Sequence, residues 1–127
     1  MRSVLLLVPL LFLVACGRCN LPMIPSPGIG LNAAAWFATH PGDTLHACVG
    51  ERCQSVTKAD AKRPVQLMIP ARADPSATMR LTVTDGSGLT VRRDFAPVQH
   101  SVDGACGTVT WWETPATLTG DGRLQPG

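Results

Sequence analysis

The chain is short of most of the residue patterns that announce a chemistry. It has no tyrosine, and aromatic residues make up only 5% of its 127 positions. Eleven Lys and Arg stand against nine Asp and Glu, a formal net charge of +2, so there is no electrostatic case for nucleic acid. The apolar run Val4–Val14 covers 11 residues, well below the roughly 20 that a membrane-spanning helix needs. The three histidines, His40, His46 and His100, form no closely spaced pair, and no Gly-x-Ser-x-Gly elbow occurs. No internal repeat and no helical stripe is evident. These absences leave no enzyme motif, no cofactor fingerprint and no assigned metal ligands.

What is present begins at the N-terminus. Arg2 is the only charge before Arg18, and the apolar run lies between them. A basic start, a short apolar segment and small residues at its end have the length and flanks of a secretory signal. Pro9 in mid-run weakens a permanent helix but is harmless in a segment that only transits. Leu13-Val14-Ala15-Cys16 closes the run. It resembles the lipobox of bacterial lipoproteins, which implies cleavage before Cys16 and diacylglyceryl modification of its sulfur. Two or more acyl chains on one cysteine are what stable anchoring requires. The alternatives are an ordinary signal peptide with a free Cys16, or an uncleaved anchor. Cys19 is a poor second site, because Arg18 stands where a small residue is needed. The resemblance places the protein in the cell membrane or outer membrane, lipid-anchored through Cys16 and facing the extracytoplasmic side.

Three regions follow: 1–15 as signal peptide, 16–31 as lipidated N-terminus and Pro-rich tether, and 32–127 as one compact domain. Loss of Arg2 with the signal lowers the formal charge to +1. Five cysteines are an odd number, and lipidation of Cys16 leaves Cys19, Cys48, Cys53 and Cys106. In an oxidising compartment these read as two disulfides. Of three pairings, spacing favours Cys48 with Cys53 across a hairpin mouth, leaving Cys19 with Cys106. With that long bridge the segment Leu21–Gly30 is a packed arm; without it, Pro22, Pro25 and Pro27 make a semi-stiff tether.

After Gly30 the signals are those of short strands. Ala33–Thr39 is an apolar run closed by the turn residues His40-Pro41-Gly42-Asp43. Leu45–Val49 and Arg52–Val56 flank a tight turn, and Val65–Ile69 is bounded by Pro64 and Pro70. Thr78–Thr84 alternates apolar and polar residues and pairs through Asp85-Gly86-Ser87-Gly88 with Leu89–Phe95. A register of Val83 opposite Leu89 puts both apolar sets on one side. Cys106–Glu113 reads as a last long strand limited by Pro115, and Asp121-Gly122 as a final turn. About seven short strands with turns every ten residues or so predict an all-β sandwich.

The order of Cys48-Val-Gly-Glu-Arg-Cys53, the Leu81–Gly88 hairpin, a late Cys106 before aromatics and Asp121-Gly-Arg-Leu124 resembles small actinobacterial surface lipoproteins. That resemblance implies a single immunoglobulin-like sandwich of undefined function. It departs after Cys106, where Gly107-Thr108-Val109-Thr110 stands in place of a second nearby cysteine.

Four sets of residues invite a chemical reading. His46, Cys48 and Cys53, with His100 or Met79, are soft ligands for copper or zinc, but disulfide formation consumes the thiols. Cys16-Gly17-Arg18-Cys19 has thiol-redox spacing, yet its first sulfur is the lipid site. His100, Ser101 and Asp103 hold the residue types of a hydrolase in one loop, and Ser87 is explained by turn formation. The basic stretch Lys58–Arg63 is a solvated loop or a contact for anionic head groups. The remaining pair is Trp111-Trp112. Neighbours on a strand face opposite ways, so one is expected in the core and the other at solvent or a protein or glycan partner. Trp36 is assigned to the core. The reading is a non-catalytic, lipid-tethered binding domain, with a metal-handling or thiol-redox lipoprotein using His46, Cys48 and Cys53 as the alternative.

Overall fold

The computed structural model describes residues 26–127. The chain forms two four-stranded sheets over one apolar core, a sandwich-like all-β fold, plus a separate two-stranded ribbon. There are ten strands among the described residues rather than about seven. β1 (Gly28–Asn32), β4 (Val65–Met68), β9 (Thr114–Leu118) and β10 (Leu124–Pro126) build the first sheet in the order β10-β9-β1-β4. β2 (Leu45–Val49), β3 (Arg52–Val56), β5 (Met79–Asp85) and β6 (Thr90–Phe95) build the second in the order β3-β2-β5-β6. The sheet edges approach each other, β4 meeting β2 and β3 while β10 meets β6. β7 (Gln99–Gly104) and β8 (Gly107–Trp112) form the ribbon.

Alternation along the strands decides what is buried. Leu45, Ala47 and Val49 of β2 and Met79, Leu81 and Val83 of β5 point inward, facing Ile29 and Leu31 of β1, Leu67 of β4 and Ala116 and Leu118 of β9. Burying each large side chain of this kind stabilises by about 1.5–3 kcal/mol. The two hairpins fold as their turn chemistry dictates. Gly50 takes φ 59°, a value open to glycine, in the tight turn that sets Cys48 opposite Cys53. In the other hairpin the Asp85 carboxylate accepts the N–H groups of Ser87 at 3.0 Å and Leu89 at 2.7 Å. Asp85 N–H in turn donates to Leu89 O. Leu89 is thereby held in the loop closure, and Val83 pairs with Val91 rather than with Leu89. The shift is two residues, so every side chain keeps its face.

Three other expectations are corrected. Ala33–Thr39 is not a strand: α1 (Ala34–Thr39) turns there, with Ala33, Trp36 and Phe37 buried at helical spacing. Asn32 accepts the Ala34 N–H at its start, and Pro41 lies just past its end, where a helix cannot continue. β1 takes in residues 28–31 of the segment read as tether together with Asn32. It occupies an interior position, antiparallel to β4 and parallel to β9. Gly28 suits that place because a Cβ there would stand 2.1 Å from Leu67 O. Finally, the strand expected over Cys106–Glu113 stops at Trp112 and is not the last, and Pro115 belongs to a further strand. The chain bends at Glu113, Thr114 is buried and takes the Val98 N–H on its hydroxyl, and Pro115 sits within β9 opposite Gly30.

Candidate interaction surface on the two-stranded ribbon

The ribbon consists of six facing pairs, from Gln99 opposite Trp112 to Gly104 opposite Gly107. None of its residues belongs to the apolar core. Residues directly opposite in an antiparallel pair share a face. One face therefore carries His100, Val102, Val109 and Trp111, and the other Gln99, Ser101, Asp103, Thr108, Thr110 and Trp112. His100 stacks on Trp111, with ring centroids 5.5 Å apart and an interplanar angle of 16°. Its Nε2 lies 2.8 Å from Glu113 O, which pins the base of the ribbon to the bend before β9. Glu113 N–H donates to Val98 O across the same bend. Val102 remains 46% exposed near the other end.

Both tryptophans are half-buried, and neither enters the core. The expectation that one of them does is corrected: among the described residues their strand pairs with β7 alone, and neither ring joins the core cluster. Trp36 does lie in the core, stacked on His40 at 3.7 Å. The Trp111 indole N–H is buried with no hydrogen-bond partner among the described residues. His100, Ser101 and Asp103 lie on β7, not in a loop, and their alternation sends Ser101 to the face opposite His100. The spacing that suggested a hydrolase thus separates the base from the hydroxyl. Beside the ribbon's base a groove of about 370 Å³ opens over the outer face of the first sheet, lined by Gly30, Asn32, Pro64, His100, Glu113 and Pro115.

Cys106 lies in the Ala105-Cys106 turn at the ribbon tip, where Gly107 takes φ 110°. It is disulfide-bonded. Cys16, the expected lipidation site, Cys19, the disulfide candidate, and residues 1–15, expected to be a signal peptide, lie outside the described residues. Cys48 and Cys53 are bonded to each other, with their Cα atoms 4.0 Å apart. His46 and Cys48 share the outer face of the second sheet, as their spacing requires, but neither sulfur is a thiolate in this state. Among the described residues, no group of three or more His, Cys, Asp or Glu side chains is placed to hold a metal ion. Lys58, Lys62 and Arg63 are solvent-exposed on a turn anchored by buried Ala61.

The largest electrostatic effects belong to turns. Hydrogen bonds from the Ser87 hydroxyl, and from the Leu89 and Ser87 N–H groups, hold the Asp85 carboxyl down at about 2. Desolvation, with Asp85 next to it, pushes Asp43 up. Asp121 is held low by the Thr119 hydroxyl and by Arg123, whose Nη2 lies 2.6 Å away. The lowered Asp85 and Asp121 values come from hydrogen bonds made within their own turns. No helix among the described residues is long and apolar enough to cross a membrane. No known protein family, no curated protein and no solved structure matches the chain.

Proposed function

We propose that the protein is a membrane-tethered extracytoplasmic lipoprotein whose domain binds a protein or glycan of the cell envelope and performs no catalysis. The observation that carries the binding reading is the ribbon: two strands outside both sheets, with no share in the core, presenting two half-buried tryptophans on opposite faces. Large aromatic side chains are expensive to leave at solvent and are the usual anchors of recognition surfaces. The tether reading rests on Leu13-Val14-Ala15-Cys16 and on the cysteine count. Its membrane contact is the acylated Cys16. Bridges at Cys48–Cys53 and Cys19–Cys106 suit the same oxidising side of the membrane.

Intact mass of the protein extracted from membranes, alkylated with and without prior reduction, tests the anchor and the redox state together. The expected mass begins at Cys16 with acyl chains attached, takes no label before reduction and takes four after it. A mass that retains Met1–Ala15 or lacks acyl chains overturns the tether. Labelling of Cys48 and Cys53 without reduction overturns the disulfide reading and makes metal or redox chemistry at His46, Cys48 and Cys53 the leading account. Binding is tested by recovering envelope partners with Trp111→Ala and Trp112→Ala variants. If both variants keep every partner of the unaltered protein, the ribbon is not the contact surface.

A further inference from the structure

The two sheets meet along two seams, β6 against β10 and β3 against β4. On the second-sheet strand of each seam stands an arginine in the inward row. Residues directly opposite in an antiparallel pair share a face. Arg93 is opposite buried Leu81, and Arg52 is opposite buried Val49. At the β6–β10 seam the Arg93 guanidinium donates to Leu124 O at 3.1 Å and lies over the Phe95 ring. At the β3–β4 seam Arg52 makes no hydrogen bond or ion pair among the described residues. Gln54, next in the same inward row, is exposed as well, and only Val56 of that row is buried. A groove of about 240 Å³ opens there, lined by Arg52, Cys53, Gln54, Leu67 and Met68.

β4 forms the edge of the first sheet on this side. The Ile69 N–H donates to Pro27 O, and bonded pairs alternate along an antiparallel ladder. The pairs bonded to β1 are therefore Leu67 with Ile29 and Val65 with Leu31. Gln66 and Met68 turn their N–H and C=O groups the other way, toward the β3 seam, where no strand of the described residues pairs with them.

We propose that this seam is a docking site for an extended, acidic segment of a partner protein, which adds to β4 as a fifth strand and sets a carboxylate against Arg52. Backbone pairing at Gln66 and Met68 supplies affinity, and the alternating side chains of the segment supply selectivity. A carboxylate makes the two-pronged, charge-assisted contact that a guanidinium fits. Met68, 51% exposed, takes an apolar neighbour on the outer face. Exposed Lys58, Lys62 and Arg63 on the turn into β4, where Asp60 is the one acid, draw an acidic segment to this edge. A second copy of the chain is the poorer occupant, because neither β3 nor β4 carries an acid to meet Arg52. The inward cation also discourages pairing by strands that lack one. No ribbon residue lines the groove, so the proposal stands apart from the ribbon reading.

The test is a titration of the full-length, isotope-labelled protein in detergent with a short synthetic peptide alternating valine and glutamate, blocked at both ends. Amide shifts and amide exchange are read together. Shifts are expected to centre on Gln66 and Met68, with exchange of both amides slowed at saturation. The same peptide with lysine for glutamate is expected to bind about tenfold more weakly or worse. Arg52→Gln weakens the glutamate peptide about tenfold, the loss of one charge-assisted contact. Gln66→Pro removes an N–H that the β1 ladder does not use, so it abolishes binding while the thermal midpoint stays near that of the parent. Absent binding, equal affinity for the two peptides, or undiminished binding by Arg52→Gln or Gln66→Pro overturns the proposal. So does protection of the Gln66 and Met68 amides before any peptide is added, which would show a second copy or another part of this chain already seated in the seam.

Discussion

The sandwich and the ribbon are both antiparallel β-structure for most of their length, yet different forces hold them. In the sandwich each strand presents an inward row, and the rows of the two sheets meet in a continuous core that includes Leu31, Leu45, Leu81 and Leu118, all fully buried. In the ribbon none of the six pairs joins that core, and among the described residues order comes from a two-residue turn, the bond at Cys106, the His100–Trp111 stack and the hydrogen bonds at Glu113. An isolated two-stranded hairpin is marginally stable in water. The contrast separates tasks: residues that stabilise lie between the sheets, and residues free to recognise something lie on the element that contributes nothing to the core.

The same substitution in the two regions separates them most sharply. Trp36→Ala is expected to cost about 4 kcal/mol, because it empties a site 5% exposed between α1 and the core. Trp112→Ala is expected to cost about 1 kcal/mol or less in urea denaturation while abolishing partner recovery. Equal losses for the two would show that the ribbon is part of the cooperative core.

Next in size are the bridges. Replacing Cys48 and Cys53 together by Ala is expected to lower unfolding free energy by about 2 kcal/mol, the loop-entropy value for so short a ring. The ribbon should respond differently. Cys106→Ala is expected to loosen β7–β8 locally, seen as faster amide exchange at Val102 and Val109, while β2 and β5 amides stay protected. Exchange that accelerates in both sheets as well would join the ribbon to the sandwich.

The smallest effect is electrostatic and belongs to the sandwich turns. The Asp85 carboxyl sits at about 2, below its unfolded value near 3.9, so the stability it adds is complete above about pH 4 and is lost as pH falls toward 2. Asp43 is raised, so its contribution has the opposite sign, present at low pH and fading as pH rises through its folded value. The expected result is a denaturation midpoint that falls between pH 4 and pH 2, with a shallower fall for Asp85→Asn. Identical pH profiles for the two proteins would remove the Asp85 capping account.

How much was legible follows from how local each feature is. The β2–β3 hairpin was readable to the residue, since Val49-Gly50-Glu51-Arg52 allows one tight turn and places Cys48 opposite Cys53. The β5–β6 hairpin was readable to within two residues of register, because alternation gives the faces but not which side chain closes the loop. α1 was missed: a six-residue helix buries only Trp36 and Phe37, too few positions to reveal a 3.6-residue period against an all-apolar run. The surface on the ribbon was half legible. Trp111-Trp112 stood out, but their fate depends on whether a second layer lies across from β8.

By itself the sequence determined the fold class, the two local hairpins, the Cys48–Cys53 bond and the expectation of an export signal ending at Ala15. Each depends on residues within about ten positions of one another, where turn chemistry and side-chain alternation act directly. The tertiary structure alone decided that Gly28–Asn32 is an interior strand parallel to β9, that Pro115 lies within a sheet, and that His100 stacks on Trp111 outside the core. Those features join segments as far apart as 85 residues, or depend on which strands share a sheet. Pairing over such a distance is selected by the shared burial of Ile29, Leu31, Ala116 and Leu118, which no local pattern encodes.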